Sequence, residues 1–251
     1  MRVIPNEITV SRRENGLSVR FLAQSIINDS VFPQQQGIRM LLSKARNGKK
    51  QPLVLSGNEK IYYYFFFHLE DFGSGDKSEI DILLRCGDTL YPVEVKTFTN
   101  PNSTNVKREI VRNYLTLHRI AKNGKFSKVT SIIPLLLYSA PFHSFENVSD
   151  EEFDYFNEDY IFKMGKDHSE PMTIWNTPTM RLLHPNESQE GFLSKIKHLK
   201  SDLYFLTWND VLETMLQLET FAPLGFLIEE LRQKADTKKR RGVEIKIPLV
   251  A

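Results

Sequence analysis

The segment at residues 78–97, SEIDILLRCGDTLYPVEVKT, constrains the fold of this chain more than any other stretch. It holds two β-prone runs on either side of a Gly87-Asp88 tip, and a Gly-Asp pair in that position is a signal for a β-hairpin. Side chains alternate between the two faces of a strand, so Glu94 and Lys96 share a face. If the two runs pair, Asp81, Glu94 and Lys96 converge on one spot.

Two carboxylates and an ammonium on one sheet face have a chemical use. Carboxylate oxygens are hard ligands that can hold Mg²⁺, and a lysine can orient or activate a water molecule. Glu79 lies two residues before Asp81 on the same strand face, and it is a further candidate ligand or a partner for the lysine. The alternative is that these residues form the solvated face of a surface hairpin, since 25% of the chain is charged.

The segment resembles the core signature of the PD-(D/E)XK nuclease superfamily, which has the restriction-endonuclease-like fold. The matching residues are Asp81 on the first run and Glu94-Val95-Lys96 on the second. The likeness covers the middle of the chain, and Ile80 stands where the signature has a proline. It implies that Asp81 and Glu94 bind Mg²⁺, or Mn²⁺ in its place, with the carbonyl of Val95 as a further ligand. It also implies that Lys96 holds or deprotonates the attacking water, or stabilises the pentavalent phosphorane.

The expected fold is α/β, with a restriction-endonuclease-like mixed central sheet flanked by helices. An apolar stripe predicts a helix at 104–121, between the hairpin and an apolar strand at 132–138 that contains Pro134. A strand–helix–strand order implies a crossover to a parallel neighbour. The proline is expected at a bulge or at the start of its strand, because it lacks a ladder donor.

The whole chain, residues 1–251, is predicted to be a single nuclease-like domain. Its parts are a basic helical N-terminal region at 1–58, a catalytic core at 59–140, an insertion at 141–200, a closing strand and helices at 201–235, and a basic tail at 236–251.

The run IYYYFFFHLE at residues 61–70 is predicted to be a strand buried on both faces, because continuous apolar runs of this length are typical of such strands. Its aromatic rings suggest, as an alternative, a stacking platform for unpaired bases. His68 is interpreted as a core histidine and not as a catalytic residue.

Positive charge is concentrated in parts of the chain, although the net charge is only +2. Residues 1–58 carry nine Lys and Arg against three acids, and residues 107–128 carry seven against Glu109 alone, whereas residues 146–170 carry nine acids against two Lys. Such segregation predicts a basic surface for a polyanion, and chance clustering on solvated faces is the alternative. The predicted contacts with nucleic-acid phosphates lie on the helix at 104–121: Lys107, Arg108, Arg112 and Arg119.

Composition excludes several other classes of protein. The hydrophobic fraction of 41% is that of an ordinary globular protein. A single cysteine, Cys86, excludes an internal disulfide and a Cys-rich zinc site. The apolar runs are too short to span a bilayer, so we expect no membrane association and a cytoplasmic location.

The leading prediction is a metal-dependent DNA endonuclease of restriction, defence or repair type, which hydrolyses phosphodiester bonds. DNA is the expected partner, with RNA and a homodimer left open. One alternative is a catalytically silent module of the same fold that binds nucleic acid or protein. Another is a nuclease subunit that works with a separate ATPase or another defence-system protein, because the chain has no G-x-x-x-x-G-K-[ST] segment of its own.

Overall fold

The computed structural model of the protein describes residues 35–49, 51–55, 59–69, 79–96, 104–122, 126, 128–138, 169–207, 210, 211, 214 and 217. Within these ranges the chain forms the helices α1 (Gln36–Lys44), α2 (Thr104–Lys122), α3 (Ser169–Trp175), α4 (Pro178–Leu183) and α5 (Gln189–Asp202). It also forms the strands β1 (Arg46–Asn47), β2 (Ile61–His68), β3 (Glu79–Cys86), β4 (Thr89–Lys96), β5 (Ser131–Ile132), β6 (Leu135–Tyr138) and β7 (Tyr204–Thr207).

The strands form one mixed sheet in the order β1-β7-β6-β4-β3-β2, and β5 pairs with the start of β4. The central strands β4, β6 and β7 run parallel to one another. The outer pairs β2–β3, β3–β4 and β1–β7 are antiparallel. The predicted α/β class and mixed central sheet are therefore confirmed.

The predicted hairpin is confirmed as β3 and β4, which are joined by a two-residue loop because Cys86 pairs with Thr89. Gly87 takes φ 58°, the left-handed region that the first loop position of a type II′ turn requires and that glycine enters without steric cost. The Asp88 carbonyl accepts the Thr130 N–H at 2.8 Å, and Asp88 Oδ2 accepts the Thr130 hydroxyl at 2.6 Å. The hairpin tip is thereby fastened to the chain that returns from α2.

The predicted crossover is also confirmed, since α2 leaves β4 and returns to its parallel neighbour β6. Apolar residues at helical spacing, among them Val106, Ile110 and Leu117, are buried against the sheet. Pro134 lies between β5 and β6, where the strand is interrupted and no ladder donor is needed.

Helices cover both faces of the sheet. Successive side chains of a strand point to opposite faces, so they enter two different cores. On one face Leu136 packs in the core that contains the apolar residues of α2. On the other face Leu135 and Leu137 pack in the core that contains Leu42 of α1. The central strands are thus shielded from water on both sides.

Residues 169–202, most of which fall in the predicted insertion at 141–200, contribute to the main core. The three helices α3, α4 and α5 place Trp175, Phe192 and Leu199 in the same cluster as the buried face of α2. Trp175 and Phe192 are in contact, with ring centroids 4.9 Å apart. This segment therefore acts as the crossover between β6 and β7, which are parallel neighbours.

The prediction that residues 61–70 form a strand buried on both faces is wrong. Strand β2 lies at the edge of the described sheet, and its side chains alternate in exposure. Ile61 is buried, whereas Tyr62 and Tyr64 are 51% and 38% exposed. The face of β2 that carries Tyr62 and Tyr64 is therefore open to solvent.

The interpretation of His68 as a core histidine is also wrong. Its side chain is 56% exposed, and Nε2 lies 3.3 Å from Glu79 Oε2 on the paired strand β3. It therefore belongs to the surface of the sheet edge.

Several predictions concern residues outside the described ranges: the N-terminal part of the basic region at 1–58, most of the helices within 201–235, and the tail at 236–251. Among the described helices, none is long and apolar enough to cross a membrane.

Replacing Gly87 by alanine tests the hairpin turn. A left-handed φ costs an L-residue about 1–2 kcal/mol, so Gly87→Ala should lower the free energy of unfolding by about that amount, as measured by urea denaturation. The added Cβ would also overlap with Glu59 Oε2, so the carboxylate must move.

The same substitution in a Glu59→Ala background separates the two causes, because only the backbone term remains there. A Gly87→Ala protein as stable as the parent in both backgrounds would show that the turn conformation is wrong.

Candidate active site

The candidate site begins where the pairing of β3 with β4 ends. The last paired residues are Ile82 and Val93, and Asp81 lies one position beyond them. There the Asp81 carboxylate accepts a backbone hydrogen bond, from the Val95 N–H to Oδ2 at 2.8 Å. A carboxylate is thus bound directly to the end of the neighbouring strand, although β3 and β4 no longer pair at this point.

The second carboxylate and the lysine stand two residues apart on β4 and so share one face of it. Lys96 Nζ lies 2.5 Å from Glu94 Oε1. It also lies 3.2 Å from Oε2 of Glu109, a residue in the second turn of α2. Leu90 has the same strand parity and packs in the core beneath α2, so the site lies on the sheet face that α2 covers.

Burial makes this cluster electrostatically unusual, since Asp81 and Glu94 are only 8% and 7% exposed. Burial raises the pKa of Asp81 to about 6, against the opposing effects of the Val95 N–H and Lys96. Burial and the neighbouring Asp81 charge raise the pKa of Glu94 well above its usual value. Burial alone would lower the pKa of Lys96, but the carboxylates of Glu94, Glu109 and Asp81 outweigh it and raise that pKa.

When its carboxyls are ionised, the cluster holds more negative than positive charge, because three carboxylates (Asp81, Glu94 and Glu109) surround the one ammonium of Lys96. A divalent cation would remove this imbalance, and carboxylate oxygens are the ligands that Mg²⁺ prefers. The donor set at Asp81 and Glu94 therefore fits such an ion. In the part of the chain that the structure describes, no group of three or more His, Cys, Asp or Glu side chains could hold a metal ion. Further ligands would have to come from the backbone, water or substrate.

The structure brings Asp81, Glu94 and Lys96 together, as the hairpin pattern predicts. Glu79 lies on the same strand face as Asp81 and slightly raises its pKa, but its ion pair is with His68 on β2. It therefore stands at the margin of the cluster.

Glu109 is the site residue that the sequence did not reveal. It comes from α2 and not from the hairpin, so strand periodicity cannot place it. One signal was present, because Glu109 is the only acid among seven Lys and Arg at residues 107–128.

The structure places the four predicted phosphate-binding residues of α2 at different depths. Lys107 is 3% exposed, so its ammonium does not reach a phosphate in this conformation. Arg108 is half-buried and donates from Nη2 to Asn105 Oδ1 at 3.0 Å. Arg112 and Arg119 are likewise half-buried. These arginines are at most part of a basic surface.

A shallow pocket of about 390 Å³ lies at the other end of β3. Its lining residues are mainly aromatic or charged: Glu59, Lys60, Tyr62, Tyr64, Arg85 and Gly87. Tyr62 pairs with Arg85 across the strands, and Lys60 Nζ lies 5.6 Å from the centroid of its ring. Arg85 shares its strand face with Asp81, about 13 Å away along β3.

No protein-family model matches this chain, and comparison with curated proteins and with solved structures finds no significant match. Its function therefore has to be inferred from its own geometry.

The raised pKa of Asp81 predicts that its charge destabilises the metal-free fold. A carboxyl whose native pKa, about 6, exceeds its usual 3.8 favours folding below pH 4, and this contribution is lost as the pH rises through 6. Asp81→Asn should therefore raise the free energy of unfolding in EDTA at pH 8 by up to about 3 kcal/mol, with little effect at pH 4. Urea denaturation at the two pH values measures this.

Asp88→Asn is a matched control, because its effect on the stability at pH 8 should have the opposite sign. Hydrogen bonds from Thr130 and Thr89 lower the pKa of Asp88, so its charge favours folding above its usual pKa and that contribution is lost in acid. The control should be less stable than the parent at pH 8. An Asp81→Asn protein that is also less stable at pH 8 would contradict the electrostatic description of the site.

Proposed function

We propose that this protein is a metal-dependent endonuclease that hydrolyses phosphodiester bonds in DNA. The observation that carries the proposal is the buried cluster at the end of the β3–β4 ladder. It places two carboxylates with raised pKa values beside a lysine whose pKa is also raised. Perturbed ionisable groups of this kind concentrate at functional sites.

The topology supports the same proposal. An acid on β3, Glu94-Val95-Lys96 on β4, a crossover helix and a parallel strand β6 follow in the order that the resemblance to the PD-(D/E)XK superfamily implies. The restriction-endonuclease-like fold is thus part of the proposal.

Asp81 and Glu94 would hold Mg²⁺ or Mn²⁺, with the Val95 carbonyl as a further ligand, and the bound cation would neutralise phosphate charge as a Lewis acid. The Val95 N–H fixes Asp81 Oδ2, so this carboxylate is oriented before any ligand arrives. Preorganisation of this kind places charge where the reaction needs it.

Lys96 would act as a cation in this reaction. The carboxylates of Glu94, Glu109 and Asp81 raise its pKa, which favours the ammonium beside the attacking water. It can donate hydrogen bonds to that water and offset the negative charge that develops on the phosphorane. Of the roles that the resemblance implies for Lys96, we therefore propose positioning and charge stabilisation.

Contacts with the nucleic acid would come from two surfaces. The half-buried arginines of α2, among them Arg108 and Arg119, can meet phosphates. The exposed rings of Tyr62 and Tyr64 can stack with unpaired bases, because every base has a flat π-face.

Plasmid cleavage by site variants tests the proposal. The parent should nick or linearise supercoiled plasmid in Mg²⁺ but not in EDTA, and Asp81→Ala and Glu94→Ala should each abolish cleavage. Lys96→Met keeps most of the side-chain stem and removes the ammonium. It should lower the cleavage rate about a hundredfold or more, the scale seen when one stabilising group is deleted.

DNA affinity measured in Ca²⁺, which prevents turnover, should stay within a few-fold of the parent for Lys96→Met. Lys197→Met is the matched control, because Lys197 is exposed on α5, and it should change neither quantity. A parent that binds DNA without cutting it would favour the silent-module alternative. A Lys96→Met protein that cleaves at the parent rate would overturn the mechanism.

A further inference from the structure

We infer that Glu109 is a positioning residue that takes over Lys96 when a divalent cation occupies the carboxylates of Asp81 and Glu94. This inference rests on the proposed function and adds to it a second position for the lysine. Glu109 belongs to α2, and it is outside the Asp-plus-Glu-x-Lys pattern of the hairpin.

The geometry shows two acceptors for one ammonium. Lys96 Nζ lies 2.5 Å from Glu94 Oε1 and 3.2 Å from Glu109 Oε2. Glu94 and Lys96 are largely buried, whereas the Glu109 side chain is 34% exposed. The ammonium therefore bridges an inner carboxylate on the sheet and an outer carboxylate on the helix.

A cation at Glu94 changes the balance between these two contacts. It neutralises the carboxylate that attracts Lys96, and its own charge repels the ammonium. Glu109 Oε2 already lies 3.2 Å from Nζ, so it can hold the lysine inside the site when the contact with Glu94 weakens. Without Glu109, the ammonium loses this acceptor and the cation has to compete with it for Glu94.

The structure also gives a reason to assign Glu109 to the lysine and not to the metal. Glu109 Oε2 lies 3.2 Å from the ammonium of Lys96. The Glu109 side chain is 34% exposed, whereas Asp81 and Glu94 are buried, so Glu109 stands outside the inner pair of carboxylates.

Calorimetric titration of Mg²⁺ in a double-mutant cycle shows whether Glu109 acts on Lys96 or on the metal ion. The four proteins are the parent, Glu109→Gln, Lys96→Met and the double variant. If Glu109 acts through Lys96, Glu109→Gln should weaken Mg²⁺ binding on the order of tenfold in the parent background and hardly at all in the Lys96→Met background. Equal losses in both backgrounds would show that Glu109 acts on the cation without Lys96 and would overturn the inference.

Three further measurements complete the test. Glu190→Gln removes one negative charge from an exposed position on α5, and it should leave Mg²⁺ binding unchanged. Glu109→Asp keeps the charge, so it should restore part of the affinity that Glu109→Gln loses. In cleavage assays Glu109→Gln should lower kcat several-fold with little change in KM, because the group that it positions acts in the transition state.

The outcomes separate this inference from the proposed function. A parent that binds no Mg²⁺ would contradict both. A parent that binds Mg²⁺ and cuts DNA, together with a Glu109→Gln protein that matches it in affinity and kcat, would overturn the role of Glu109 alone.

Discussion

The ion pair between Lys96 and Glu94 is the interaction on which the candidate site depends. Burying charges is costly unless they are paired, and here one ammonium serves carboxylates from β3, β4 and α2. Removing the lysine would leave unpaired acids between the sheet and α2. The site is therefore one electrostatic unit, and changing one of its charges alters the pKa values of the others.

The surrounding fold offsets the free energy that this unit costs. Leu83, Leu90 and Leu136 pack in the core beneath α2, while Val93 and Val95 pack on the opposite face of the same strands. Burial of apolar side chains on both faces holds β3 and β4 in place up to the point where their pairing ends. The carboxylates can thus remain close together despite their repulsion, as is common where function limits stability.

Local pattern was enough to predict the hairpin, the crossover and the meeting of Asp81, Glu94 and Lys96, because strand alternation and turn chemistry act over a few residues. It failed where tertiary contacts decide the outcome. Glu109 enters the site through the position of α2 over the sheet, and burial of Lys107 follows from the same packing. The exposure of Tyr62 and His68 depends on β2 lying at the sheet edge, and strand order is not encoded in a short window of sequence.

The most direct test of metal-dependent phosphodiester hydrolysis is the origin of the oxygen in the product. Plasmid DNA is incubated with the protein and Mg²⁺ in ¹⁸O-labelled water, and the terminal phosphates are analysed by mass spectrometry. Hydrolysis at this site predicts one ¹⁸O atom in the phosphate at each cut made by the parent, and no cuts by Asp81→Ala or in EDTA. Intact DNA in every sample, or cut ends without ¹⁸O, would contradict the account.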